Sequence, residues 1–203
     1  MKIKYPNGAP YNPQKIITKS KFNIKKSKLG TSFEKAINES NEFYLLTNRA
    51  IIHKKPTPIK ITKVDYPKRS AAKITEAFYQ TPSTTDYNGI YRGRYIDFEA
   101  KSCQTSSFPF SHLYTHQINH LAKVHEHGGI SFLLIEFHLA EEVYLLPTPL
   151  LLTCYEDSLN GGRKSIPYSY FKEYGLLVSI GFQPRINYLD VVDKVYFKEK
   201  DKV

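Results

Sequence analysis

The sequence has few of the residues that cross-link small secreted or metal-bound domains. It contains only two cysteines, Cys103 and Cys154, and no Cys-x-x-Cys pair. A disulfide framework is therefore excluded, and a zinc knuckle or thioredoxin-like redox site has no support. A chain of 203 residues can bury roughly 70% of its unfolded surface, so its core needs no such cross-links. We expect one domain in a reducing compartment, the cytoplasm.

Long hydrophobic runs are also missing from the sequence. No apolar stretch reaches the ~18 residues of a membrane span. The lysines near the N-terminus are not followed by an apolar stretch of signal-peptide length, as secretion would require. We therefore expect neither membrane insertion nor secretion.

Acidic residues are absent from the first 33 positions, which contain eight lysines. A second basic window, residues 53–73, has seven basic residues and one acid, whereas the rest of the chain has 14 basic and 18 acidic residues. Clustered lysine and arginine suit the phosphate backbone of nucleic acids. The alternative is a charged tail that only aids solubility. We interpret residues 1–29 as a flexible basic arm and residues 30–203 as the folded domain.

The spacing of apolar residues predicts an α/β fold. A capping-box pattern from Thr31 to Glu34 predicts a helix over residues 31–46. Alternating aromatic and β-branched residues predict a hairpin over residues 84–101. The remaining predictions are strands at 49–53, 59–64, 130–137 and 143–146 and helices at 111–127, 167–174 and 186–197. Together they predict one mixed central β-sheet flanked by helices.

A basic insertion interrupts this pattern at about residues 60–83. Residues 70–79 predict a short helix between two strand signals, so the insertion is expected to leave the sheet. It carries the candidate DNA-binding residues Lys63, Lys68, Arg69 and Lys73.

The strand predicted over residues 94–101 places three charged side chains on one face. Because successive side chains alternate, Asp97, Glu99 and Lys101 point one way and the apolar residues between them point the other. Charges in a partly buried sheet are costly unless they are paired or bind a metal. This face is therefore the candidate site.

The register of the hairpin decides which residues join that face. A loop at Arg92-Gly93 places Asp86 opposite Glu99 and Thr84 opposite Lys101, and two opposed carboxylates favour a divalent cation between them. A loop at Asn88-Gly89, the stronger hairpin dipeptide, would pair Asp86 with Tyr91 instead. We favour the first register because the second buries two arginines in mid-strand.

An acid followed by acid-x-Lys on the next strand resembles the Pro-Asp…(Asp/Glu)-x-Lys nuclease superfamily, with Thr85 in place of its proline. Longer stretches resemble the RecU family of Holliday junction resolvases, and the resemblance covers about residues 30–197. These stretches are Glu34-Lys-Ala-Ile-Asn-Glu-Ser-Asn41, Ile52-His-Lys-Lys-Pro-Thr-Pro58, Asp65-Tyr-Pro-Lys-Arg-Ser70, Ser83-Thr-Thr-Asp-Tyr-Asn-Gly89 and Gly93-Arg-Tyr-Ile-Asp-Phe-Glu-Ala-Lys101.

The resemblance implies a restriction-endonuclease-like nuclease core with the insertion as a projecting stalk. It implies a homodimer that cleaves Holliday junctions by paired symmetric nicks, with Mg²⁺ or Mn²⁺, in recombination and DNA repair. It further implies modulation of the recombinase RecA, with Arg69 as a participant, and hence a place at the nucleoid.

The resemblance also assigns roles to residues. It places metal binding at Thr84, Asp86, Glu99 and Gln117, and it makes Lys101 the stabiliser of the transition state. Glu34 is either a supporting acid of this site or only the third residue of its capping box.

Two other groups on the predicted elements have simpler interpretations. Asp97 lies outside the acid pattern, so we expect it to form an ion pair or to support the site. His112, His116 and His120 recur every four residues, but without a matched further ligand they predict a helix face and not a metal site.

The rival function is a non-catalytic accessory protein that binds branched DNA for a recombinase. A protein that only binds DNA gains nothing from Asp86 and Glu99, because both repel phosphates unless a metal is present. The sequence therefore favours the nuclease.

Overall fold

The computed structural model describes residues 26–80 and 84–197, with the backbone alone for residues 26–31. The helices are α1 (Lys26–Leu46), α2 (Thr115–Glu126), α3 (Thr148–Leu159), α4 (Tyr168–Tyr174) and α5 (Tyr188–Tyr196). The strands are β1 (Ile51–Lys54), β2 (Ile59–Asp65), β3 (Lys73–Tyr79), β4 (Tyr87–Tyr91), β5 (Arg94–Cys103), β6 (Ser107–Pro109), β7 (Ile130–Phe137), β8 (Glu142–Pro147), β9 (Ser165–Pro167) and β10 (Leu176–Val178).

A six-stranded mixed sheet forms the centre of the fold, in the order β1-β4-β5-β7-β8-β10. Strands β5 and β7 are parallel and are connected through α2, whereas the other neighbouring pairs are antiparallel. This arrangement confirms the predicted α/β class and the mixed central sheet.

Helices cover both faces of the sheet and bury two apolar clusters. On one face, Phe33 and Ile37 of α1 and Tyr188 of α5 pack over the sheet. On the other face, the cluster draws on α2, α3 and α4. Alternate residues of β7 enter each cluster, which explains why its sequence is an unbroken apolar run.

Helix α1 begins at Lys26, earlier than the sequence predicts. Thr31 therefore lies inside the helix, and its interpretation as the start of a capping box is wrong. The last residues of the predicted arm, 26–29, belong to α1, while residues 1–25 lie outside the described part of the chain.

The basic insertion is a two-stranded antiparallel ribbon of β2 and β3, closed by a short 3₁₀ turn at Arg69–Ala71. The helix predicted over residues 70–79 is therefore wrong. Every residue of both strands is exposed, so no core surface is available for one face of a helix. Pairing with β2 instead satisfies the backbone of β3 and sets Val64 against Ile74.

Two further differences lie around α2 and α3. Helix α2 is capped at Tyr114, not at Ser111, because the Gln117 side chain reaches back to the Tyr114 backbone. Helix α3 and the small β6–β9 ribbon were not predicted. Among the described helices, none has the length and apolar content needed to span a membrane.

Candidate active site

The β4–β5 hairpin turns at Arg92-Gly93, as the favoured register requires. Tyr91 pairs with Arg94 and Tyr87 with Phe98, while Arg92 and Gly93 both have positive φ, at 48° and 76°. These angles are those of a tight hairpin turn with right-handed twist.

The rival Asn-Gly dipeptide is not a turn. Gly89 pairs with Ile96 inside the hairpin and with Ile52 of β1. A Cβ atom added at Gly89 would lie 2.0 Å from the carbonyl oxygen of Ile51. Glycine is needed here because strand β1 approaches closely, not because the chain reverses.

This register brings the two predicted acids together. The Asp86 amide donates to Glu99 Oε2 at 3.1 Å, and the Ala100 amide donates to Asp86 Oδ2 at 3.3 Å. The Asp86 amide thus holds the Glu99 carboxylate, and the backbone of β5 next to Glu99 holds the Asp86 carboxylate. The pairing of Thr84 with Lys101 is not formed, because β4 begins only at Tyr87.

Glu99 receives two further donors. Lys101 Nζ lies 2.5 Å from Glu99 Oε1, and Gln117 Nε2 donates to the same oxygen at 2.7 Å. The Gln117 amide oxygen instead accepts from the Tyr114 amide at 3.0 Å. The candidate metal ligand on α2 therefore reaches the site, but with its NH₂ group.

The Glu99 side chain is fully buried, with 0% exposure. Burial, and after it the negative charge of Asp86, raise the pKa of Glu99 to about 7 although Lys101 opposes the rise. Two carboxylates held together in this way repel each other until a proton or a cation joins them. The donor set therefore fits a hard divalent cation.

We expect this raised pKa to make the metal-free protein less stable as pH rises. Below about pH 4.5, Glu99 is protonated in both the folded and unfolded states, and the stabilising preference for the folded state is lost as pH rises through about 7. Glu99→Gln should lack this dependence. The difference in unfolding free energy between variant and wild type should change by about 3 kcal/mol between about pH 5 and pH 8.

Urea titrations in EDTA at several pH values measure this difference directly. Taking the difference from wild type removes the contribution of the other titrating groups. A difference that stays constant with pH would mean that Glu99 keeps an ordinary pKa in the folded protein.

The metal-ligand chemistry of the site rests on oxygen atoms. Within residues 26–80 and 84–197, no group of three His, Cys, Asp or Glu side chains converges. Two carboxylates therefore need neutral oxygens or water to complete a shell, as Mg²⁺ usually has in proteins. Thr84, the predicted neutral ligand, is exposed at the start of the same segment as Asp86.

Glu34 of α1 contacts a lysine of strand β1. Its carboxylate forms an ion pair with Lys54 Nζ at 2.6 Å, and its side chain is 44% exposed. Burial first, and then the charges of Glu34 and Asp86, raise the pKa of Tyr87. Glu34 and Asp86 are therefore both near enough to Tyr87 to affect its phenol, and no capping box accounts for Glu34.

The four candidate DNA-binding residues all lie on the exposed ribbon. Lys63 belongs to β2, Lys73 begins β3, and Lys68 and Arg69 lie at the turn between them. The structure thus places them away from the acid pair, on a separate projecting element.

A second buried acid, Asp97, was expected either to form an ion pair or to support the site. Asp97 has that partner, Lys55, with Nζ at 2.7 Å from Asp97 Oδ2. Sequence reasoning missed Lys55, and also Tyr95 and His120, which contact the same carboxylate. The only available signal was the alternation that puts Asp97 on the same face as Glu99.

Comparison with known proteins places this geometry in one family. The family model described as RecU, Recombination protein U, matches residues 28–194. The Holliday junction resolvase RecU of Bacillus cereus strain AH820 is 49% identical over 201 residues, covering 97% of this chain and 100% of that protein. The protein of the same description from Bacillus thuringiensis strain Al Hakam has the same identity and coverage.

One solved structure has a weaker likeness. Hjc, a Holliday junction resolvase from Archaeoglobus fulgidus, aligns with a TM-score of 0.44 at 13% identity, over 73% of this chain and 95% of that chain. At this level the likeness adds nothing to the family assignment.

Proposed function

Because the chain belongs to the RecU family, we propose that it is an endodeoxyribonuclease that resolves Holliday junctions by paired symmetric nicks during recombination and repair. The observation that carries this function is the opposed pair Asp86 and Glu99 with Lys101 beside it. A protein that only held DNA would gain nothing from two acids held together at the DNA-facing site, because both would repel phosphates.

We propose that the site holds a divalent cation, and specifically Mg²⁺, with Mn²⁺ as a substitute. The residues that would hold it are Asp86 and Glu99, with Thr84 supplying an oxygen. Gln117 would join them only if its amide turned over to present its oxygen. When bound, the cation would act as a Lewis acid on the scissile phosphate and lower the pKa of the attacking water.

The remaining roles belong to side chains of the protein. Asp86 and Glu99 hold negative charge at fixed positions, because backbone amides from the opposite strand bind both. Lys101 points its ammonium group at this centre. It would offset the charge that builds on the phosphorane oxygens, which is the kind of fixed electrostatic contribution that dominates many enzymes. We propose a supporting acidic role for Glu34, which forms an ion pair with Lys54 of β1.

Partners and location follow from the same assignment. We propose a homodimer, because one nick on each of two strands needs two copies of the site. The exposed ribbon would enter the junction, and we propose that Arg69, exposed at its turn, takes part in modulation of the recombinase RecA. Work on recombining DNA would place the protein in the cytoplasm, at the nucleoid.

The direct test is incubation of the purified protein with a labelled mobile four-way junction. Paired symmetric nicks with Mg²⁺ and none with EDTA are the expected result. Junction binding without nicks under any divalent metal would support the accessory-protein alternative instead.

Shortening the ribbon should remove selectivity for branched DNA. Joining Lys63 to Glu76, which are paired across the ribbon, removes its outer part without disturbing the sheet. A linear duplex lacks the crowded phosphates of a crossover, so junction affinity should fall roughly tenfold more than duplex affinity, about 1.4 kcal/mol. Competition binding at matched salt measures both.

The control keeps the length of the ribbon and removes three of its positive charges. A full-length variant with Lys68→Gln, Arg69→Gln and Lys73→Gln should weaken binding to both DNA shapes and lower the salt dependence. If shortening lowers both affinities by one factor, the ribbon supplies only unspecific charge.

A further inference from the structure

The buried carboxylate of Asp97 is surrounded by donors that the proposed chemistry does not use. Its side chain is 0% exposed, and that of Lys55 is 14% exposed. The contacts to Asp97 come from Lys55 Nζ at 2.7 Å, Tyr95 OH at 2.8 Å, His120 Nε2 at 3.1 Å and the Thr85 hydroxyl. The Asp97 carboxylate is therefore held in a fixed position by these four side chains.

Lys55 connects this anchor to the segment that carries the first acid. Its Nζ lies 3.0 Å from Thr84 Oγ1 and 2.6 Å from Thr85 Oγ1. Its backbone amide donates to the Asp86 carbonyl at 2.8 Å. One residue thus contacts all three positions of the segment 84–86.

That segment needs such contacts because it lies outside the β4–β5 ladder. The β4–β5 pairing begins at Tyr87, so residues 84–86 lie just before the ladder. Lys55 binds the Asp86 carbonyl, and Glu99 Oε2 accepts from the Asp86 amide. The position of the Asp86 carboxylate therefore depends on Lys55 on one side, and on Glu99 and the Ala100 amide of β5 on the other.

Stability alone does not account for the ion pair. Removing two charges from water costs several kcal/mol per ion, and an apolar pair of similar volume is often as stable or more so. A lysine this close to Thr84 also disfavours a cation there. What the pair supplies is a fixed position for the segment.

We propose that Lys55 and Asp97 are positioning residues of the nuclease site, whose ion pair fixes residues 84–86 so that the Asp86 carboxylate faces Glu99. This inference rests on the proposed function, because it concerns the same site. Neither residue touches the reacting atoms; both act through Thr84, Thr85 and Asp86.

Three variants separate positioning from structural support: Lys55→Met, Asp97→Asn and the double variant. Each single change leaves a buried charge without its partner, so both should be destabilised. The double variant keeps the net charge and removes the unpaired ion, so it should recover most of the unfolding free energy. Urea titration in EDTA measures this recovery.

The double variant should nevertheless bind metal poorly and cleave slowly. Loss of a positioning group typically costs about 10–100-fold in metal affinity or activity. The apparent Mn²⁺ affinity comes from the thermal shift of the protein titrated with MnCl₂, without DNA. Single-turnover cleavage of a four-way junction gives the rate, and gel-shift binding without metal should stay unchanged.

The direction in which Lys55→Met changes the Mn²⁺ affinity separates positioning from a purely electrostatic effect. Removing a positive charge beside Thr84 should tighten Mn²⁺ binding if only electrostatics matters. Positioning predicts weaker binding, because the Asp86 segment is no longer held. Lys172→Met, an exposed lysine on α4 at the far edge of the sheet, is the matched control and should leave all readouts unchanged.

A stable double variant with wild-type Mn²⁺ affinity and cleavage rate would overturn the proposal and leave the pair a structural ion pair. Tighter Mn²⁺ binding by Lys55→Met would overturn it as well. If the wild-type protein binds Mn²⁺ but never nicks a junction, the proposed function fails, while the Mn²⁺ titrations still decide whether the pair positions Asp86.

Discussion

Replacing Glu99 with glutamine is expected to abolish cleavage while junction binding stays intact or becomes slightly tighter. The change keeps the shape of the side chain and removes a buried charge at the centre of the site. Asp86→Asn, in the segment just before β4, should have the same effect. We expect a loss of about 10³-fold or more in rate, ~4 kcal/mol of transition-state stabilisation. Single-turnover cleavage and gel-shift binding to one junction measure the two effects.

Binding is expected to survive because neither acid supplies a favourable contact to phosphate in the absence of metal. Removing a negative charge near the DNA reduces repulsion, which explains the slight gain. Glu126→Gln is the matched control, since Glu126 is exposed on α2 and forms an ion pair with Lys123. It should cleave and bind like wild type. Parallel loss of binding and cleavage in Glu99→Gln would contradict the assigned role.

The hairpin and the acid pair could be predicted because local rules determine them. Strand alternation assigns the face of Glu99, and the loop position fixes its partner by the geometry of antiparallel pairing. The burial of two arginines in the rival register was enough to choose between the loops. The observed pairing of Tyr91 with Arg94 confirms that choice.

The ribbon strand β3 could not be predicted in the same way. Its residues, such as Ala77 between Glu76 and Phe78, satisfy a helical pattern as well as a strand. The decision depends on whether a core surface or a partner strand is available, which periodicity does not reveal. Here the partner is β2, and every side chain stays exposed.

The ion pair of Lys55 and Asp97 could not be predicted from the sequence, for a different reason. The two residues are 42 positions apart in the chain, and no local pattern pairs them. The orientation of the Gln117 amide is similar, because it depends on the Tyr114 backbone at the start of α2. The location of the site can therefore be predicted from the sequence, but the role of each residue in it can be assigned only from the tertiary structure.

Replacing Lys101 with alanine is expected to lower the cleavage rate far more than the affinity for metal. Its ammonium group lies 2.5 Å from Glu99 Oε1 and its side chain is 25% exposed. One fixed donor that acts on charge in the transition state is worth about 10²–10³ in rate. Single-turnover rates at saturating metal, together with Mn²⁺ thermal-shift titrations, separate the two effects.

Lys101 has a second influence that the same experiment must separate. In the metal-free protein its charge opposes the rise in the pKa of Glu99 to about 7, so Lys101→Ala should leave more Glu99 protonated near neutral pH before the metal binds. At about pH 9 Glu99 is ionised in both proteins, and only the transition-state contribution remains. We expect the rate deficit of Lys101→Ala to persist there. Recovery to within about tenfold of wild type, less than one preorganised donor is worth, would mean that Lys101 serves only to keep Glu99 ionised.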